Sequence, residues 1–233
     1  MLEMRAVGAG YGRAQVLFDF DLALPPGEVV ALLGRNGAGK STVLKVAMGM
    51  LERRSGEIFF EGRLLRGLEP YAIARLGIGY VPEDRRIFSS LTVLENLEAG
   101  RQPARAGAPA WTPERVFGLF PSLGRMRERR GGSLSGGEQQ MLAIARTLMG
   151  NPKVVLLDEP FEGLAPLVVE AVAKAIGALK REGLSVLLCD QNLRFARRIA
   201  ERAVVIEQGR ARYAGSLAAL EADASLRERY LAF

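Results

Sequence analysis

The sequence lacks histidine altogether and contains a single cysteine, Cys189, among its 233 residues. Without histidine a Ser-His-Asp triad cannot be built, and one cysteine cannot supply the thiolate ligands of a zinc site. A lone cysteine also cannot close a disulfide within the chain. We therefore expect the chain to fold without disulfides or a structural metal, and two large classes of enzyme are excluded.

Long apolar runs and a concentrated charge are missing as well. No apolar stretch approaches the ~18 residues of a membrane span, and the basic excess is mild, with 32 Lys and Arg against 26 Asp and Glu. The basic residues are scattered, apart from a denser stretch at residues 125–130, whereas nucleic-acid binding favours a basic stripe with stacking aromatics. We predict a solvated, arginine-rich surface and no nucleic-acid partner.

Five short apolar, β-branched runs bounded by Gly, Pro or Asp predict buried strands. They occupy residues 28–33, 78–81, 153–158, 185–189 and 203–207. Several alternate with helical patterns, and a hydrophobic content of 48% provides for a sizeable core. We predict an α/β fold with a mostly parallel sheet that is covered by helices on both faces.

From residue 89 to residue 150 the spacing of apolar residues becomes helical. Thr92 suits a helix N-cap and Pro113 suits the first turn of a helix. Residues 102–113, rich in Ala, Gly and Pro, predict a loop. The simplest account is one domain over residues 1–233, in which a helical subdomain, residues 89–150, is inserted into an α/β core.

The strongest motif follows the first of the predicted strands. It consists of Gly34, Arg35, Asn36, Gly37, Ala38, Gly39, Lys40, Ser41 and Thr42. This is the G-x-x-x-x-G-K-[ST] spacing between a strand and a helix, in which glycines let backbone N–H groups surround a phosphate. Lys40 would reach the β- and γ-phosphate oxygens and the Ser41 hydroxyl would bind Mg²⁺. A purely structural turn has no need of Lys followed by Ser.

Two carboxylates, Asp158 and Glu159, follow another predicted strand. Functional groups collect at the carboxyl ends of parallel strands, so we expect Asp158 to lie near the phosphate loop. Asp158 suits a direct or water-mediated contact to Mg²⁺, and Glu159 suits a general base that polarises an attacking water. Taken alone, the two acids are equally compatible with a helix N-cap.

A third motif, with Ser135, Gly136, Gly137 and Glu138, precedes a helical stretch. A Ser-Gly-Gly turn at a helix N-terminus offers an anion free N–H groups, a hydroxyl and a favourable dipole, and it can equally be a plain cap. One chain has no obvious use for two distant phosphate cradles, unless the second serves a nucleotide held by another subunit.

In this combination and order the motifs resemble the ATP-binding cassette family, the ATPase subunits of ABC transporters. The resemblance covers essentially the whole chain and implies a P-loop NTPase (RecA-like) core with an antiparallel β subdomain and an inserted α-helical subdomain. It identifies residues 34–42 as the Walker A loop, residues 134–140 as the signature motif, and Asp158 with Glu159 as the Walker B pair. Tyr11 matches the adenine-stacking aromatic of the family.

The same resemblance implies ATP and Mg²⁺ as cofactors and a head-to-tail dimer, with each ATP between the Walker A loop of one cassette and the signature of the other. The sequence segments at residues 81–88, 91–97, 162–166 and 190–192 are similar to those of the branched-chain amino acid importer ATPases of the LivF group. Such ATPases work with a second, LivG-like cassette, two transmembrane permease subunits and, indirectly, a substrate-binding protein. We therefore expect an ATPase at the cytoplasmic face of the membrane that drives uptake of branched-chain amino acids.

Three positions depart from the general family pattern. Glu83 stands where most members have the Gln that contacts Mg²⁺ and the lytic water. Gln191 replaces a His that holds the γ-phosphate, and Ala165 replaces an Asp at the dimer interface. Glu83 can still bind metal or accept a proton, and Gln191 donates an uncharged hydrogen bond, so we expect hydrolysis to depend little on pH between about 6 and 8.

Several alternatives stay open at this point. The importer could instead take up amides or urea, because the ATPases of such importers share many of these sequence segments. The cassette could also pair with a second copy of itself. With Glu83 and Gln191 in the site, the chain could also gate transport by nucleotide binding while its partner hydrolyses ATP. A soluble, non-transport ATPase acting on DNA or ribosomes is disfavoured, because the sequence has no second cassette, coiled coil or basic extension.

Overall fold

The computed structural model describes residues 1–231, so residues 232–233 of the predicted domain lie outside the described residues. Apolar, β-branched runs form most of its strands, which become buried when they pair. The strands are β1 (Leu2–Tyr11), β2 (Ala14–Leu24), β3 (Val29–Leu33), β4 (Arg53–Phe60), β5 (Arg63–Leu64), β6 (Ile78–Val81), β7 (Val154–Asp158), β8 (Ser185–Asp190), β9 (Arg202–Glu207) and β10 (Arg210–Ser216).

The helices begin mostly at residues that suit a helix N-terminus, among them Pro70, Pro113 and Pro166. They are α1 (Lys40–Ala47), α2 (Pro70–Leu76), α3 (Val93–Gly100), α4 (Pro113–Leu119), α5 (Pro121–Arg125), α6 (Gly136–Leu148), α7 (Pro166–Arg181), α8 (Leu193–Ala196), α9 (Leu217–Ala222) and α10 (Ala224–Leu231). Within residues 1–231, no helix combines the length and apolar character needed to cross a membrane.

A six-stranded sheet in the order β10-β9-β3-β8-β7-β6 forms the centre of the fold. All five predicted runs are strands of this sheet and run parallel, while β10 pairs antiparallel at one edge. Leu33 of β3 is opposite Asp190 of β8, and Asp158 of β7 is opposite Cys189. The carboxyl ends of β3, β7 and β8 therefore meet at one edge, where the phosphate loop leaves β3.

A second, antiparallel sheet in the order β2-β1-β4-β5 packs with α1 against one face of the central sheet, through an apolar cluster that includes Leu44, Leu156 and Leu187. The opposite face is covered by α6 and α7, through a cluster that includes Leu142 and Ile176. The α/β fold with an antiparallel β portion and helices on both faces is therefore confirmed. Cys189 is buried in the first cluster.

Helices α3 to α6 occupy most of residues 89–150. Thr92 is the N-cap of α3, with a capping box to Glu95, and Pro113 is the first residue of α4, as predicted. Trp111, in the loop before α4, is buried in the core, and its backbone N–H donates to Asn151 Oδ1 at 2.7 Å. Trp111 thus packs locally, while treatment of this segment as a separate subdomain stays a prediction.

Candidate nucleotide-binding site

The loop between β3 and α1 needs glycine at several positions. Gly37 and Gly39 have φ angles of +75° and +111°, in the left-handed region that favours glycine. A Cβ atom on Gly34 would lie 2.4 Å from the carbonyl oxygen of Ile206, too close for any side chain. The backbone can therefore adopt the tight path that the phosphate-loop motif predicts.

Lys40, the first residue of α1, is almost completely buried, with 4% of its surface exposed. Its Nζ donates to the carbonyl oxygens of Gly34 at 2.9 Å and of Arg35 at 3.3 Å. Nζ also pairs with Glu159 Oε1 at 3.0 Å. An ammonium group has three hydrogens to donate, so all of them have acceptors in the protein.

The carboxylate of Asp158 lies beside the loop, as the sequence predicts. Ser41 Oγ donates to Asp158 Oδ1 at 2.9 Å, and the Tyr80 hydroxyl donates to Oδ2 at 3.2 Å. Burial raises the pKa of Asp158 above its ordinary value, against the effect of these two hydrogen bonds. The N-cap alternative is wrong, because the next helix, α7, has Ala165 as its N-cap.

Glu159 is held between Lys40 and Gln191, whose Nε2 donates to Glu159 Oε2 at 2.9 Å. Burial acts to raise the pKa of Glu159, but hydrogen bonds from Gln191, Glu162 and Lys40 outweigh it and lower that pKa below its ordinary value. The hydrogen bond to Glu159 in turn raises the pKa of Glu162. Glu159 is therefore ionised at neutral pH, as a general base must be.

The loop, Glu83 and Glu159 face one cavity of about 430 Å³, and Asp158 reaches it through its hydrogen bond with Ser41. Its lining consists of Tyr11, Val16, Asn36, Gly37, Gly39, Lys40, Ser41, Thr42, Glu83, Glu159 and Glu162. Tyr11 is 46% exposed, with Lys45 Nζ 6.0 Å from its ring centre. The structure therefore brings the predicted aromatic, phosphate-loop and carboxylate residues to one site.

Gly34, Arg35 and Ala38 belong to the same loop but do not line this cavity. Gln191 reaches the site through Glu159. Val16, Tyr80 and Glu162 were missed by the sequence reasoning. Their signals are weak, although Glu162 lies in a tight turn with Glu159, its N–H donating to the Glu159 carbonyl at 3.2 Å.

The predicted signature residues lie outside this cavity. Ser135 is the N-cap of α6, and its hydroxyl accepts the Glu138 N–H at 3.3 Å while Glu138 Oε2 accepts the Ser135 N–H at 2.7 Å. The turn is therefore a capping box. A Cβ on Gly137 would lie 2.8 Å from Val168, so glycine allows α6 and α7 to approach closely.

The residues present fit a nucleotide-bound Mg²⁺ ion better than a resident metal. Mg²⁺ in such sites takes one or two protein oxygens and completes its shell with phosphate and water. Ser41 and Asp158 offer such oxygens beside the loop, and Glu83 lines the same cavity. Within residues 1–231, no group of three or more acidic, Cys or His side chains is arranged to hold a metal by itself.

A buried lysine, a hydroxyl and an acidic pair that meet where a glycine loop leaves a parallel sheet define a P-loop ATPase. Residues 17–162 match the ABC transporter family. The chain belongs to this family, and it is an ATP-binding and ATP-hydrolysing subunit.

Relatives within the family serve different transporters. The chain is 44% identical over 231 residues to the high-affinity branched-chain amino acid transport ATP-binding protein BraG of Pseudomonas aeruginosa, covering 99% of each. It is 35% identical to a probable branched-chain amino acid transport ATP-binding protein, LivF of Archaeoglobus fulgidus, covering 93% of this chain and 92% of LivF. It is also 37% identical to the lipopolysaccharide export system protein LptB of Escherichia coli K12, covering 89% of this chain and 87% of LptB.

Solved structures agree with this fold. The ATP-binding subunit of an ABC transporter superposes with a TM-score of 0.83 at 30% identity, covering 99% of this chain and 96% of that one. A dimeric ATP-binding cassette in a post-hydrolysis state, bound to ADP and Pi, superposes with a TM-score of 0.80 at 25% identity, covering 93% and 99%.

Proposed function

We propose that the chain is the ATPase subunit of an ABC importer that takes up branched-chain amino acids. The observation that carries the substrate is the 44% identity with BraG over nearly the full length of both chains. The sequence segments at residues 81–88 and 190–192, which resemble those of branched-chain amino acid importer ATPases, support the same assignment. The similarity to LptB makes lipopolysaccharide export the competing function.

The proposal assigns roles to the residues of the phosphate loop, to the acidic pair and to Tyr11. The loop N–H groups and Lys40 bind the β- and γ-phosphates, Ser41 and Asp158 hold Mg²⁺, and Tyr11 stacks on adenine. Bound Mg²⁺ supplies positive charge to the phosphate oxygens. Because Lys40 is paired with Glu159 in the free chain, its transfer to phosphate leaves Glu159 free to accept a proton from water.

In this proposal Gln191 positions the general base Glu159 and Glu83 positions the attacking water, and neither side chain adds positive charge. Gln191 Nε2 already holds Glu159 Oε2 at 2.9 Å, which keeps the base directed at one point. Glu83 lines the cavity, where it would contact the bound ion or the attacking water. The amide of Gln191 does not titrate near neutral pH, so turnover should vary little between about pH 6 and pH 8.

We further propose that the cassettes pair head to tail. Because Ser135, Gly136, Gly137 and Glu138 do not line the cavity of their own chain, they would contact ATP on a facing cassette. That cassette would be a LivG-like chain, with a second copy as the alternative. Purification from membranes distinguishes the two, since two equal copies without another cassette would contradict the LivG-like pairing.

One of the two permease subunits is proposed to dock on a groove between α2, β6, α3 and α6, with a volume of about 730 Å³, and the other on the facing cassette. Met50, Tyr71 and Phe88 line it and are 46%, 65% and 49% exposed. Within residues 1–231, its lining carries arginines such as Arg146 and no acidic side chain, which favours a permease segment with apolar and acidic residues. Docking there would hold the chain at the inner face of the membrane.

The test is uptake of labelled leucine, isoleucine and valine by cells that lack this chain and are complemented with wild type or Glu159→Gln. Rescue by wild type alone is the expected result. Loss of amide or urea uptake with normal leucine uptake would mean that the importer transports amides or urea and not branched-chain amino acids. A defect confined to the lipopolysaccharide of the outer surface would favour export, and turnover that persists in Glu159→Gln would contradict the catalytic assignment.

A further inference from the structure

Arg85, two residues after Glu83, lies against the turn that begins α6. A Cβ built on Gly136 would lie 3.0 Å from Arg85 Nη1 and 3.6 Å from its Cζ. The guanidinium group therefore covers the backbone of the first residue of α6. Arg85 has a φ of +60°, and its N–H donates to the Pro82 carbonyl at 3.0 Å. Arg146 Nη2 donates to the Arg85 carbonyl at 3.4 Å.

The charge of Arg85 is not paired with a carboxylate in the described part of the chain. Within residues 1–231 no carboxylate lies within ion-pair distance of Arg85, whereas the next residue, Arg86, pairs with Asp84 at 2.9 Å. The acid of the same turn, Glu138, accepts the Ser135 N–H and belongs to the capping box. Arg85 is only partly exposed, and its guanidinium makes no ion pair among the described residues.

The nucleotide cavity, in contrast, is poor in positive charge. Among the residues that the structure describes, its lining contains Glu83, Glu159 and Glu162, with Lys40 as the one cationic residue. Gln191 contributes an uncharged hydrogen-bond donor to the site, so it adds no positive charge near the phosphate oxygens. Phosphoryl transfer depends on positive charge directed at the phosphate oxygens, so a cation from outside the cavity would complete the site.

We propose that Arg85 is a phosphate-contacting residue that acts across the dimer, on the γ-phosphate of ATP bound to the facing cassette. The inference rests on the head-to-tail pairing proposed above, which brings the Ser135–Gly137 turn to that phosphate. The guanidinium beside this turn then reaches the same anion, and its planar pair of N–H donors suits two phosphate oxygens.

The test uses a dimer purified through two different tags, in which one chain carries Glu159→Gln and the facing cassette is wild type. Residual turnover then comes only from the ATP bound to the phosphate loop of the wild-type cassette. Adding Arg85→Gln to the chain that already carries Glu159→Gln should lower this turnover about tenfold to a hundredfold. This is the loss expected for a charge-assisted hydrogen bond. Arg86→Gln in the same background is the matched control and should leave turnover within about twofold, because its charge is already paired.

Two further variants separate a phosphate contact from a structural one. Arg85→Lys keeps the charge and should restore part of the turnover, and ADP binding by the Arg85→Gln chain should equal that of wild type. Equal turnover with and without Arg85→Gln would overturn the proposal. If one-sided Glu159→Gln silences both sites, the dissociation constant of the ATP-bound dimer is measured instead. We then expect about tenfold weakening in Arg85→Gln alone, and no weakening would overturn the proposal.

Failure of the proposed function gives a different result. If wild-type cassettes form no ATP-dependent dimer, the head-to-tail pairing and the role of Arg85 both fall. If they dimerise and hydrolyse ATP while Arg85→Gln behaves like Arg86→Gln, only the role of Arg85 falls.

Discussion

Replacing Glu159 with Gln should strengthen ATP binding while it abolishes hydrolysis. In the nucleotide-free chain Lys40 Nζ lies 3.0 Å from Glu159 Oε1, and the two side chains are only 3% and 10% exposed. A hydrogen bond to a charged partner contributes about 1.5–3 kcal/mol, against about 0.5–1.5 kcal/mol for a neutral one. ATP must displace this contact to reach Lys40, so its affinity should rise about tenfold in Glu159→Gln, which corresponds to ~1.4 kcal/mol.

The assay is equilibrium binding of a fluorescent ATP analogue, with steady-state turnover measured in parallel. Glu162→Gln is the matched control, because Glu162 lines the same cavity without an ion pair to Lys40. We expect Glu162→Gln to raise affinity less than Glu159→Gln does. Turnover of Glu159→Gln should fall by about 10²–10⁴, the contribution of a general base. Equal affinities in the two variants, or weaker binding in Glu159→Gln, would refute the reasoning.

Further predictions concern acid pH, the loop and one buried side chain. Burial raises the pKa of Asp190 to about 6, and protonation weakens its acceptance of the Asn192 N–H. The kcat/KM for ATP should therefore be level above about pH 7 and fall to half its plateau near pH 6, an inflection that Asp190→Asn removes. Gly39→Ala, at a φ of +111°, should lower the free energy of unfolding by about 1–2 kcal/mol and weaken ATP binding, as urea denaturation and titration measure. Asn96 is fully buried and holds both the N–H and the carbonyl of Phe88. Asn96→Ala should therefore cost about 2–4 kcal/mol in the same urea experiment, whereas an unchanged midpoint would contradict it.

The central sheet was predictable because its strands are buried on both faces and appear as continuous apolar runs. The antiparallel sheet was expected only from family resemblance, since β1 pairs with β2 and β4 through several register shifts that break a simple alternation. The phosphate loop and Asp158 were predictable from spacing and from the shared edge of parallel strands.

Contacts between distant side chains could not be read from the sequence. The pairing of Lys40 with Glu159 and of Tyr80 with Asp158 depends on strand register and on side-chain rotamers. The position of Arg85 over Gly136 depends on a left-handed backbone that no local signal indicates. Trp111 is buried because the loop before α4 folds onto the turn at Asn151, a contact between residues forty positions apart in the sequence.

The most direct test of the account is transport by the purified complex in vesicles, with ATP supplied on the side of the cassettes and labelled leucine with the substrate-binding protein on the other. The account predicts leucine accumulation that requires hydrolysable ATP and that disappears when this chain carries Glu159→Gln. Undiminished leucine accumulation in the Glu159→Gln complex, or hydrolysis that never drives leucine uptake, would contradict it.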